Sequence, residues 1–179
     1  GMRAAHDGIT EIGIVRVDAD PGGGPPRVDE WSTLVDPEAP IPPVIQALTG
    51  ITDAMVRGAP TFASIAGEVM ARLEGCVFVA HNARFDYGFL KHAFARASRS
   101  FSARVLCTVK LSRGLFPEAP SHSLDAVIEL PQRLHQGEAV VYFERVFLAA
   151  PVGHVNRRHC SASVLVKKAP EYSTKLLVR

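Results

Sequence analysis

The chain has 179 residues, enough for one domain with a core of its own. With 47 % hydrophobic and 21 % charged residues it is neither disordered nor low-complexity, and a net charge of +2 is compatible with nucleic acid without arguing for it. No apolar run approaches the ~20 residues of a membrane span, no secretory signal opens the sequence, and Cys76, Cys107 and Cys160 form no CxxC pair, which points to a cytoplasmic protein without disulfide framework or zinc site.

Residues Ile9 to Val17 are rich in β-branched side chains and predict a strand. Asp20 to Pro26 is a Gly/Pro-rich turn, and Val28 to Val35 alternates as a returning strand, so the two predict a hairpin. An extended, proline-rich connection follows from Asp36 to Pro43. Pro42 and Pro43 can start a short helix, Val44 to Leu48, that stops at Gly50. Phe62, Ile65, Ala66, Val69, Met70 and Leu73 recur at helical spacing, which predicts an amphipathic helix packed on the core and ended by Gly75.

A short apolar run, Cys76 to Ala80, predicts a buried strand. It stops at His81-Asn82, where a helix begins with Phe85, Phe89 and Ala93 on one face. Asp86 falls in the first turns of that helix, just past the carboxyl end of the strand, between two phenylalanines that partly wall it off from water. In open α/β sheets this edge is where ligands bind. A helix-N-terminal acid favoured by the helix dipole explains a lone Asp there equally well.

This stretch resembles motif II of the DnaQ-like (DEDDh) 3′–5′ exonucleases, written "aHNaxFDxxfL", through Ala80, His81, Asn82, Phe85, Asp86, Phe89 and Leu90. The resemblance extends from Ile9 to Leu130. Ile9-Thr10-Glu11-Ile12-Gly13 matches the family's second strand, Leu48 to Asp53 its "hGIt" loop, and Leu106 to Val127 its "xDTlxlaRxlxPxxxxxsLdaL" segment, with a strand at Val105 to Thr108 and a helix at Val109 to Phe116. It implies a ribonuclease H-like mixed α/β sheet flanked by helices, formed by residues 1–150, with 151–179 as a tail. The implied activity is two-metal hydrolysis, with Mg²⁺ or Mn²⁺, of nucleotides from single-stranded DNA or RNA 3′ ends. A DNA polymerase subunit is the implied partner, as for the DNA polymerase III epsilon type.

By the same resemblance Asp86 is a metal ligand and a catalytic residue. His81, Asn82 and Phe85, with Thr49, Gly50 and Ile51 of the "hGIt" loop, are the implied nucleic-acid contacts. A glycine C-cap followed by a Thr/Asp N-cap explains the loop equally well.

The resemblance breaks at both ends. The family's first strand, which carries Asp-x-Glu and is central in the sheet, has no counterpart ahead of Ile9. Asp7 and Glu11 are spaced by four and do not replace it. The family's third motif, His-x(4)-Asp, finds only His135 and Glu138, at the wrong spacing. His135 as base and Glu138 as second metal acid are the candidates, and an exposed pair on a helix explains them as well. Val140 to Leu148 could be the last helix, and Ser163 to Lys167 and Lys175 to Arg179 predict short strands, one of which could fill the missing central place. Two other readings stay open: a nucleic-acid- or polymerase-binding relative without the metal site, and a reading frame truncated at its start and altered after about Leu130.

Overall fold

The computed structural model describes residues 8–20, 22, 24–127 and 161–165, the last as backbone. Strands β1 (Glu11–Asp18) and β2 (Arg27–Leu34) form the expected antiparallel hairpin, in register from Glu11 opposite Leu34 to Asp18 opposite Arg27. Their turn is held at Asp20, whose carboxylate accepts the backbone N–H groups of Gly22 and Gly24. Ile12 and Ile14 alternate into the core from β1, as a half-buried strand requires.

Helix α1 (Pro43–Thr49) has proline in its first turn, where the missing N–H costs nothing. It ends at Gly50, which takes the left-handed conformation at φ 71° and returns its N–H to the Gln46 carbonyl at 2.8 Å. The one-turn helix α2 (Asp53–Val56) follows, capped by the Thr52 hydroxyl. Ile41, Ile51 and Val56 close a small second core beneath this segment, with Leu34 and Ile45 against it.

The amphipathic helix α3 (Phe62–Leu73) buries Phe62, Ala66, Val69 and Leu73, while Ile65 and Met70 sit at the margin of the same cluster. Strand β3 (Val77–Ala80) is buried at every position, as a strand covered on both faces must be. It feeds helix α4 (Ala83–Arg96), then strand β4 (Arg104–Cys107), which pairs parallel to β3. Helix α5 (Thr108–Leu115) follows directly, and a further helical turn begins at residue 124.

The core is aromatic where α3 and α4 meet. Phe94 is wholly buried, edge-on to Phe62 at 5.0 Å and stacked on Phe101 at 4.9 Å. Burying such a ring stabilises the fold by about 2–3 kcal/mol, and the ring geometry adds ~1 kcal/mol.

The sheet runs β2-β1-β5-β3-β4, where β5 is Ser161–Leu165. The place between the hairpin and β3, vacant in the reading of the first 130 residues, is therefore taken by a strand from the far end of the sequence. β5 runs antiparallel to β1, from Ile14 opposite Leu165 to Asp18 opposite Ser161, and parallel to β3, with Val79 opposite Val164. The mixed sheet flanked by helices is the fold class expected.

Candidate functional site

The site lies at the carboxyl edge of β3 and β4, where α4 and α5 both begin. The turn from β3 into α4 is abrupt. Asn82 takes the left-handed conformation at φ 61° and its carbonyl accepts the Phe85 N–H at 2.9 Å. Asparagine tolerates this conformation better than other residues with a side chain. The turn sets Ala83 fully in the core and carries Asp86 in the first turns of α4, only 7 % exposed. Phe85 and Phe89 stand beside each other at 4.8 Å, with Phe89 buried and Phe85 half-buried. The carboxylate of Asp86 is thus withdrawn from water.

Three groups from α5 and its flanks complete the edge. His81 Nδ1 lies 3.0 Å from Thr108 Oγ1, joining the end of β3 to the first residue of α5. One helical turn on, wholly buried Ser112 Oγ lies 2.9 Å from His122 Nδ1. Burial pushes the His81 pKa below the usual imidazole value, against the opposing pull of Asp86 and Asp125, so the ring is neutral at pH 7. Cys107 precedes α5, which has no side-chain capping bond. Burial pushes its thiol up, but the backbone amides of Lys110, Ala83, Val109 and Asn82 face the sulfur and together bring the pKa below the ordinary value. One sulfur thus sits between the starts of two helices.

Thr49 donates its hydroxyl to the Ile45 carbonyl at 2.7 Å and accepts the Ile51 N–H at 3.2 Å. Gly50 is exposed, while Ile51 is buried in the second core. Glu11 is half-buried on β1. Asp7, His135 and Glu138 fall outside the described residues, as do the expected Val140–Leu148 helix and the second C-terminal strand.

Among the described residues no three His, Cys, Asp or Glu side chains are grouped to hold a metal ion. Two divalent ions close together need several carboxylates to offset their repulsion. Asp86 alone does not fit that need. The sequence reading overlooked Cys107, Ser112 and Asp125 as members of this edge. The i, i+4 spacing of Thr108 and Ser112 on a helix was the available signal, but their partners stand 27 and 10 residues away.

A family model described as an exonuclease, RNase_T, matches residues 1–137. The chain belongs to this exonuclease family. Several relatives carry the same domain. The DNA polymerase III PolC-type of Caldanaerobacter subterraneus is 30 % identical over 194 aligned residues, covering all of this chain and 14 % of that protein. A DNA polymerase III subunit epsilon-like protein of Rhodobacter capsulatus is 40 % identical over 121 residues, 68 % of this chain and 17 % of that one. The 3′–5′ exonuclease DinG of Staphylococcus epidermidis is 35 % identical over 130 residues, 72 % of this chain and 14 % of that one. The chain thus spans less than a fifth of the length of these relatives. Among solved structures it is similar to Exonuclease X in complex with 5′ overhanging duplex DNA, with a TM-score of 0.53 and 26 % identity, covering 82 % of this chain and 86 % of that one. The fold likeness and the family match support the DnaQ-like resemblance read from Ala80 to Leu90.

Proposed function

We propose that this exonuclease-family domain removes nucleotides from single-stranded nucleic-acid 3′ ends. The observation that carries the reading is the position of Asp86: a buried carboxylate at the carboxyl edge of a β-strand, within the motif that resembles the family's second. Phe85, half-exposed beside it, offers a face on which a terminal base stacks. His81, neutral and tied to Thr108, fixes the end of β3 without adding charge. Asn82 supplies the turn that aims α4 at the edge. Thr49, Gly50 and Ile51 form the second contact in this proposal.

The family's Mg²⁺ or Mn²⁺ belongs to the proposal as well, with Asp86 and Glu138 as ligands and His135 as base. The described residues contribute Asp86 to that set. Relatives of PolC and epsilon type make a polymerase subunit the partner of choice, and the cytoplasm is the proposed location. No helix among the described residues is long and apolar enough to cross a membrane.

A second reading, binding of ends without hydrolysis, is favoured by the spacing of His135 and Glu138, which departs from the family's His-x(4)-Asp. One experiment separates the two. A 3′-labelled single-stranded oligonucleotide is incubated with Mn²⁺ and either the wild-type chain or Asp86→Asn. The proposal expects nucleotide release that falls at least ~100-fold in the variant, the scale of a group acting directly in the reaction. Release unchanged by Asp86→Asn would sink it, and binding without release by a folded wild-type chain would establish the second reading.

A further inference from the structure

The charges of this chain are sorted along the sequence. Residues 1–74 carry eleven acids and five lysines or arginines, whereas residues 75–117 carry seven lysines and arginines and one acid, the buried Asp86. The small net charge conceals this division, and the fold turns it into a division of the surface. The acidic part is the β1–β2 hairpin with α1, α2 and α3. Two of its arginines are engaged locally, Arg16 with Asp18 at 3.1 Å and Arg72 with Asp29 and Glu68 at 2.9 and 3.0 Å, while Arg27 and Arg57 are exposed. Asp20, Asp29, Glu30, Glu38, Glu68 and Glu74 are exposed on it.

The basic part is β3, α4, β4 and α5. All seven of its cations are exposed, and they fall into two groups. Arg84 in the first turn of α4 and Lys110 in the first turn of α5 flank the site edge, because amides from both helix starts face the Cys107 sulfur, and one exposed acid, Asp125, stands near the same edge. Arg113 follows Lys110 by three residues. At the opposite end stand Arg96, the last residue of α4, Arg104, the first residue of β4, and Arg99, whose guanidinium reaches beside Gly67 of α3. Lys91 lies between them along α4. Among the described residues β4 is the outermost strand on this side of the sheet, and the cations lie on the elements around it.

We infer that the strand upstream of the bound end runs along this β4–α4 flank, from Arg84 and Lys110 to Arg99 and Arg104, and away from the acidic hairpin. The inference rests on the proposed action at nucleic-acid ends and adds a route. A polyanion is drawn to clustered Lys/Arg and repelled by an excess of acids, and no base identity is needed. Helix α4, with 14 residues, is ~21 Å long, the reach of about six nucleotides at a stacked rise of ~3.4 Å. The ligand is recognised by its phosphodiester backbone, common to DNA and RNA.

The test compares 5′-labelled single-stranded oligonucleotides of three and twelve residues by fluorescence anisotropy over a salt series, using the full chain. Arg84→Glu with Lys110→Glu should weaken both lengths about tenfold at low salt and reduce the salt slope by ~1.4, at ~0.7 per phosphate contact. Arg99→Glu with Arg104→Glu should weaken the 12-mer similarly and leave the 3-mer unchanged. Glu30→Gln in the hairpin should alter neither by more than about twofold. The corresponding Arg→Gln and Lys→Gln variants should give smaller losses in the same order, which guards against a folding defect from charge reversal.

A 12-mer indifferent to Arg99 and Arg104, in a chain that still degrades it, would overturn the route and leave the exonuclease reading standing. Circular single-stranded DNA bound as tightly as linear, with the same dependence on Arg99 and Arg104, would leave the route standing and remove the preference for ends. No binding of either oligonucleotide at low salt would overturn both.

Discussion

His81 is the residue through which pH reaches the edge of the sheet. Its imidazole is held neutral by burial, and its Nδ1 is engaged with Thr108. A histidine whose folded pKa lies below the usual ~6.5 binds fewer protons in the fold than in the unfolded chain between those two values. Its contribution to stability is therefore complete above about pH 6.5 and is lost as pH falls through the folded value. The unfolding midpoint should drop between pH 7.5 and 5.5, and His81→Asn should drop less over the same interval. An equal drop in both would mean that other groups carry the dependence. Asp86 and Asp125 oppose the shift, so replacing Asp125 by Asn should push the transition to still lower pH.

At the scale of the element, the junction of β3 and α4 decides where Asp86 stands. Asn82 takes a left-handed backbone conformation there, which costs most residues with a side chain about 1–2 kcal/mol. Asn82→Gly should leave thermal stability nearly unchanged. Asn82→Val should cost about 2 kcal/mol in chemical unfolding, since a β-branched side chain fits that conformation worst. Equal behaviour of the two variants would show that the backbone does not control the junction.

This junction was legible in the sequence only in part. The apolar run of Val77 to Ala80 and the i, i+4 rhythm of Phe85, Phe89 and Ala93 mark a strand meeting a helix, because both patterns are local. The same holds for α3, whose apolar positions repeat within 12 residues. Less was legible where partners are remote. Nothing near Thr108 announces His81, and nothing near Ser112 distinguishes His122 from a solvated histidine. Of the one-turn α2 only the start was legible, in the Thr/Asp cap after Gly50, because four residues are too few to establish a period. The apolar run from Val164 to Val166 suggested a strand, but its direction and neighbours depend on β1 and β3 rather than on its own residues.

At the scale of the whole molecule, β5 joins two parts that the chain makes separately. On one side it pairs with the hairpin, on the other with the β3–α4–β4 unit. Without it β1 and β3 would each expose a row of unpaired backbone groups. A chain ending before Ser161 should unfold at lower temperature and with a broader transition than the full chain, as followed by circular dichroism. An unchanged, sharp transition would mean that α3, packed against both β1 and α4, suffices to hold the two parts together.

The position of β5 also bears on how the protein is made. Its contacts with β1 join residues about 150 positions apart. A ribosome adding ~5–20 residues per second has the hairpin and the β3–α4–β4 unit outside for several seconds before Ser161 is translated. During that interval the nascent chain carries two incomplete sheet edges and a partly covered aromatic core, with no local contact to close them. Sheets built on such long-range pairings fold slowly and are exposed to association with neighbouring chains. Yield of soluble protein should thus depend on chaperones and growth temperature more than the stability of the finished fold suggests.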